Sequence, residues 1–199
     1  MSAAIAERLA RAEKVAAIAR ELGIETALIG ALALAVHKHV RATNDVDLAS
    51  AVAPSVELPK LERALRAAGL RAKLRLPDDD DPLGGVVVVW EREDDDGDPI
   101  DPIEIVNFVN PLRPRRNPGR AAIERAIELE GLALRCVRLS DLVALKLDAG
   151  SRQDLADVVD LLVANPDADL DEIRTVAMPF DAKGELETLI AEAIELRGR

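Results

Sequence analysis

"RATNDVDLAS", residues 41–50, sets two aspartates one residue apart, Asp45 and Asp47, among the apolar residues Val46, Leu48 and Ala49. In an extended segment successive side chains point to opposite faces, so Val46 and Leu48 share one face and the aspartates share the other. Two like charges about 7 Å apart on one face cost stability unless a cation compensates them. Two readings are open at this point: a strand end with two solvated carboxylates, or a metal site.

The 199 residues suffice for one sizeable domain, or one domain with a helical appendage. Hydrophobic residues make up 49% of the chain, but aromatics only 2% and Tyr is absent, so Ala, Leu and Val must fill the core. No run of about 18 apolar residues predicts a membrane span. The charges spread through residues 1–23 make that segment an amphipathic helix and not a signal peptide. The single Cys136 excludes an intrachain disulfide, and its setting in "LRCVRL" is that of an ordinary strand position. A cytoplasmic protein with no membrane partner is expected. The net charge of −11 is concentrated: residues 78–101 hold eleven acids against Arg92 alone, which leaves the rest of the chain nearly neutral. The acidic balance is therefore weak evidence against a nucleotide or nucleic-acid substrate, and the basic stretch "PLRPRRNPGR" (111–120) is free to meet anions or to balance the acidic loops.

Periodicity predicts a helix over about residues 4–21, a strand at "TALIG" (26–30) and a short helix at "ALALAVHKH" (31–39). A strand at "DVDLASAV" is followed by a helix ending at Gly69 and a half-buried strand "RAKLRL". "PDDDDPLGG" reads as a solvated, mobile acidic loop before the buried strand "VVVVWE". A second such loop, "EDDDGDPID", forms a hairpin connection into the strand "PIEIVNFV". "PGRAAIERAIELEG" predicts a helix and "LALRCVRL" a strand, and three helical segments follow. Among these, Ser140 is a candidate N-cap, and Gly150 ends one helix before Ser151 caps the next. The expectation is an α+β (α/β) fold: a small mixed sheet flanked by helices over residues 1–139, with a C-terminal helical portion, 140–199, packed on it.

Gly30 closes "TALIG", and the first N–H groups of the helix beginning near Ala31 are placed to bind phosphate. A tight turn accounts for that glycine equally well. The thirteen-residue spacing from Ala31 lets the next strand bring Asp45 and Asp47 to the same sheet edge. Mg²⁺ takes a few carboxylates supplemented by phosphate and water, and two-metal phosphoryl chemistry needs a further acid from an adjacent strand. Glu104, flanked by Ile103 and Ile105, repeats the alternation around Asp47; Asp101 is explained as part of the acidic loop.

Together these features resemble the nucleotidyltransferase superfamily of the DNA polymerase beta type. Its signature is an apolar residue, Gly, then Gly or Ser, a spacer, and Asp-apolar-Asp/Glu-apolar, matched by Ile29-Gly30-Ala31 and Asp45-Val46-Asp47-Leu48. "ALIGALALAVHKHVRATNDVDLAS" is similar to the bacterial minimal and AbiEii-like members, with Arg41 and Thr43 at the Arg-x-Thr before the acids. "LVALKLDAGSRQDLADVVDLL" resembles their helical segment through Lys146, Arg152, Asp154 and Asp157. Ala31 replaces the second Gly or Ser, and Glu104 stands where Asp is usual.

The resemblance implies Mg²⁺-dependent transfer of a nucleotide from an NTP, ATP among them, to a hydroxyl of RNA, a protein or a small molecule. Asp45, Asp47 and Glu104 would hold the metal, and Gly30 and Ala31 would cradle the β- and γ-phosphates. Arg41 and Lys146 would contact phosphate, and Thr43 would position Asp45 or a phosphate. It also implies, as one version, a toxin with a cognate antitoxin. Structural alternatives stand beside these roles: Lys146 reaching to solvent, and an Arg152–Asp154 ion pair. His37 and His39 lack the partners and spacing of a zinc site and read as surface or capping residues, with His39 close to the triphosphate in one reading. For the whole chain, the alternative is a non-catalytic nucleotide-binding or partner-binding module that keeps the fold.

Overall fold

The computed structural model describes residues 3–43 and 45–198. Helix α1 (Ala3–Glu21) leads through β1 (Ala27–Leu28) into α2 (Gly30–Val36) and β2 (Val46–Ser50). Next come α3 (Glu57–Ala67), β3 (Arg71–Arg75), β4 (Val86–Trp90), the hairpin β5 (Arg92–Glu93) and β6 (Pro99–Ile100), and β7 (Ile103–Asn107). The chain continues through α4 (Gly119–Glu124), β8 (Ile127–Glu128) and β9 (Arg135–Cys136) to α5 (Leu139–Ala149), α6 (Arg152–Ala164), α7 (Leu170–Ala177) and α8 (Leu186–Arg197).

Seven strands form one mixed sheet in the order β3-β4-β7-β2-β1-β9-β8. β2 lies parallel to β7, and β1 parallel to β9; the other neighbours are antiparallel. Alternation sets the two faces. Val46, Leu48, Ile103, Ile105, Val87, Val89 and Ala72 are buried on one of them. Helix α3 packs over β3 and β4 with Leu58, Leu61 and Leu65, a spacing that lines one helical face. Helix α1 joins it through Ala12, Val15, Ala16 and Ala19, small side chains that stand in for the missing aromatics. The other face carries Asp47, Glu104, Val88 and the exposed Lys73 along one row of register partners. Buried residues of α5, α6 and α7, such as Leu142, Leu161 and Ile173, belong to the same continuous core as Leu28 and Leu48. Among the described residues, no helix is long and apolar enough to cross a membrane.

Several elements depart from their sequence expectation. The helix expected over 118–131 stops at Glu124, because the Arg135 guanidinium takes the carbonyls of Ile123 and Ala126 and the chain turns into β8. Ser140 does not cap α5; the helix begins one residue earlier, and the Ser140 hydroxyl donates to Glu172 of α7 at 2.9 Å. Helix α7, absent from the sequence reading, is capped by Asp169, which accepts from the N–H groups of Asp171 and Glu172. Gly150 does end α5, and Ser151 caps α6 in a reciprocal pair with Asp154. The loop after β3 keeps its acids outward but is tied down: Asn110 Nδ2 donates to the carbonyls of Asp78 and Asp81.

The end of β7 is held by Asn107, which is fully buried. Its Nδ2 donates to the carbonyls of Val52, Gly84 and Val109 at 3.0–3.1 Å, and its Oδ1 accepts from the N–H of Val52 at 2.9 Å. Gly84 has no room for a side chain, since a Cβ there would lie 2.0 Å from the Val109 carbonyl oxygen. Removing the amide leaves several buried groups unpaired, and each such group costs about 1–3 kcal/mol. Asn107→Ala is expected to lower unfolding free energy by about 3 kcal/mol, read as a shifted urea midpoint with an unchanged slope.

Candidate active site

The site grows from one backbone junction. Ile29 N–H donates to the Asp47 carbonyl at 3.0 Å, which draws the β1–α2 turn against the middle of β2. Gly30 follows with φ +59°, and a Cβ on it would fall 1.8 Å from Asp47 Oδ2. Only glycine fits, because both the left-handed backbone and the close approach exclude a side chain. The Asp47 carboxylate therefore lies against the start of α2, where a side chain of residue 30 would otherwise stand.

Across the sheet, Asp47 is the register partner of Glu104, so both carboxylates emerge on the same face of the parallel β2–β7 pair. Asp45 precedes β2, and its Oδ1 is hydrogen-bonded by the Thr43 hydroxyl. Burial, and then the charges of Asp45 and Glu104, push the Asp47 carboxyl up to about 6, while Lys146 and Arg41 pull it down. Asp45, Glu104, Lys146 and Arg41 thus all act on the electrostatics of Asp47.

Lys146 on α5 does not run out to solvent. Its side chain is 11% exposed, and Nζ donates to Asp154 Oδ1 and Asp157 Oδ2, both at 2.7 Å. Two of its three N–H donors are thereby used. Asp157 is completely buried, which would raise its pKa, but hydrogen bonds from Lys146 and Gln153 hold it below the ordinary value. Asp154 turns to Lys146 and Ser151, so the Arg152–Asp154 ion pair of the sequence reading is replaced by these contacts. Arg41 Nε stands 4.0 Å from Asp157 Oδ1 and, buried, has no hydrogen-bond partner among the described residues. His39 lies 3.7 Å from Asp160 and 3.9 Å from Asp157; His37 Nε2 is 2.8 Å from the Val137 carbonyl oxygen.

Next to Gly30 and Lys146 opens a cleft of about 550 Å³, walled by Leu83 and Phe108 and bounded by an Arg115–Asp148 pair. That pair is bidentate, at 2.6 and 2.9 Å. The basic stretch is dispersed over separate contacts: Arg113 donates to the Asp80 carbonyl, and Arg116 lies 5.3 Å from the Phe180 ring centroid. Sequence reasoning missed Arg75, whose Nη2 is 3.8 Å from Glu104 Oε1; only the strand register places it there. It also missed that Asp101 turns inward to Arg8 and Arg92.

Among the described residues, no three His, Cys, Asp or Glu side chains stand close enough together to hold a metal ion by themselves. Mg²⁺ is commonly held by one or two carboxylates with phosphate and water, and Asp47 facing Glu104 across one register step is a donor pair of that kind. Burial is the larger cause of the raised Asp47 pKa; the part that comes from Asp45 and Glu104 is negative charge that a divalent ion would relieve.

A stability consequence follows from that pKa. The folded-state value, about 6, exceeds the reference value of 3.8, so Asp47 favours folding below pH 4 and that contribution is lost as pH rises through 6. Without metal, Asp47→Asn is expected to gain on the wild type between pH 4 and 7, by up to about 3 kcal/mol, in urea unfolding at several pH values.

No protein-family profile matches the chain, and no curated protein sequence matches it either. Solved structures do resemble it over most of its length. The antigenic nucleotidyltransferase-like protein from Paracoccidioides brasiliensis is 17% identical, with 96% of this chain and 89% of its own covered and a TM-score of 0.55. The solution structure of the antibiotic-resistance factor ANT(2'')-Ia is 15% identical, covering 92% and 96%, with a TM-score of 0.52. ANT(2'')-Ia in complex with adenylyl-2''-tobramycin gives 12%, 89%, 98% and 0.53. At these identities the likeness is one of architecture, and it establishes that this chain has the nucleotidyltransferase fold.

Proposed function

We propose that this protein is a divalent-metal-dependent nucleotidyltransferase that moves a nucleoside monophosphate from an NTP to an acceptor hydroxyl. The observation that carries the reading is the placement of Asp47: against the bare Cα of Gly30 on one side and in register with Glu104 on the other. That arrangement brings the β1–α2 turn and a carboxylate pair to one point, which supports the turn as a phosphate cradle. The complex of ANT(2'')-Ia with adenylyl-2''-tobramycin supports a small-molecule hydroxyl as one acceptor class. RNA and protein acceptors, and a toxin with a cognate antitoxin, are narrower forms of the same proposal.

In this reading Asp45, Asp47 and Glu104 would hold Mg²⁺ together with phosphate oxygens and water, and the ion would supply Lewis-acid stabilisation of phosphate charge. The N–H groups of Gly30 and Ala31 hold the β- and γ-phosphates, and Thr43 keeps Asp45 oriented. Arg41 and the third N–H of Lys146 meet the charge that builds on the leaving pyrophosphate. Glu104 takes the proton of the acceptor hydroxyl as its oxygen bonds to the α-phosphorus and the α–β bridging bond breaks. One observation favours the competing reading of a nucleotide-binding module without transfer: the Lys146 ammonium is already shared between Asp154 and Asp157.

Incubation with α-³²P-labelled NTPs, Mg²⁺ and a cell extract separates the readings. Label transfer that falls by roughly 10²–10³ or more in Asp47→Asn and Glu104→Gln supports the enzyme; nucleotide binding without transfer supports the module. No Mg²⁺-dependent nucleotide binding at all defeats both. Gly30→Ala is expected to abolish nucleotide binding in calorimetry, because the new methyl group and the Asp47 carboxylate compete for one position.

A further inference from the structure

The leading ends of β2 and β7 lie side by side, and the last bond of their ladder runs from Val46 N–H to the Pro102 carbonyl at 3.0 Å. Asp45 stands just beyond that bond, where the sheet no longer fixes the chain. Two connections continue past it. The Thr43 hydroxyl bonds the Asp45 carboxylate, and the Thr43 carbonyl accepts from Arg8 Nη1 at 2.8 Å. On the other strand, Asp101 directs its carboxylate to Arg8 Nη2, with Arg92 Nη2 at 3.5 Å. One guanidinium on α1 therefore spans the two chain segments that lead into the carboxylate-bearing strands.

This bridge differs from an ordinary surface ion pair, whose worth is small because water screens it. The Arg8 and Asp101 side chains are 21% and 19% exposed, and Arg8 Nε is buried. Asp101 also adopts φ +49°, one of two non-glycine residues with positive φ among those described. Such a conformation persists where the surroundings over-determine it. The acids at 94–98 in the same run remain exposed, so Asp101 is the member of the run with an interior task. The planar fork of arginine can serve a carbonyl and a carboxylate at once, which a lysine ammonium does less well.

We propose that Arg8 is a positioning residue: clamped between Thr43 and Asp101, it fixes the separation of Asp45 from Glu104 without touching substrate. This rests on the transferase reading, in which those two carboxylates hold a common divalent ion.

The test combines Mn²⁺ binding, followed by electron paramagnetic resonance, with amide hydrogen exchange in the metal-free protein. Arg8→Ala is expected to weaken Mn²⁺ binding about tenfold and to speed exchange at residues 45–47 and 103–104, and Arg8→Lys to recover part of the loss. Asp101→Asn should do the same, and the double variant should be no worse than either single one. A wild type that binds Mn²⁺ and an Arg8→Ala variant that binds it equally well overturn the clamp alone. A wild type that binds no Mn²⁺, with or without nucleotide, overturns the transferase reading as well. Should Arg8→Ala not fold, Asp101→Asn decides: unaltered Mn²⁺ binding overturns the clamp. Faster exchange with unaltered Mn²⁺ binding makes Arg8 structural only and overturns it too.

Discussion

The register of β2 on β7 is the constraint from which the core and the site both follow. Side chains in a strand alternate with a period of two, so a slip of one residue would exchange the faces. Val46 and Leu48 would lose their place beside Ile103 and Ile105, and Asp47 would be driven into the core under α1 and α3. Burying an unpaired carboxylate costs several kcal/mol, more than a small Ala- and Leu-filled core can absorb. The hydrophobic pattern that folds the sheet is therefore also what sets Asp47 opposite Glu104. Function is specified here by the same alternation that specifies stability.

The strand register aligns two acids, but long-range contacts make the surroundings specific. Glu104 was legible as a carboxylate on the Asp47 face because it interrupts an apolar strand as Asp47 does, and "LIGA" was legible as a strand–helix turn. The close approach of Gly30 to Asp47 was not, since it depends on how the β1–α2 turn leans across the sheet. The same holds for Asn107, a polar residue in an apolar strand whose partners come from three separate loops. Asp101 looked like one more acid in a solvated run because periodicity says nothing about a distant arginine on α1. The helix expected over 118–131 failed for a related reason: its pattern is helical, but Arg135 and the β8–β9 pairing win over local preference.

Lys146 shows how a sequence motif can be right about proximity and incomplete about chemistry. The ammonium is near enough to Asp47 to lower its pKa, as expected for a cation at the site. From α5 it also donates hydrogen bonds to the carboxylates of Asp154 and Asp157 on α6. A buried Asp157 without that partner would be an uncompensated charge, a state far costlier than the net gain of an intact pair. The lysine is thus bound first to the packing of two helices, and its charge reaches the sheet as a consequence.

That double use ties the C-terminal helices to the electrostatics of the strands. Asp157 fixes Lys146, and with Arg41 Nε 4.0 Å away it also attracts the segment that leads toward Asp45. Movement of α6 would therefore change the field at Asp47 through two cations at once. The exposed acids of the acidic run contribute little to this field, because exposed charges beyond a Debye length, about 8 Å at physiological salt, are largely screened. The net charge of −11 is consequently a poor guide to the site. Its potential is set by a few groups from different helices and strands: Arg8 pairs with Asp101, Arg75 stands 3.8 Å from Glu104, and the charges of Lys146 and Arg41 reach Asp47.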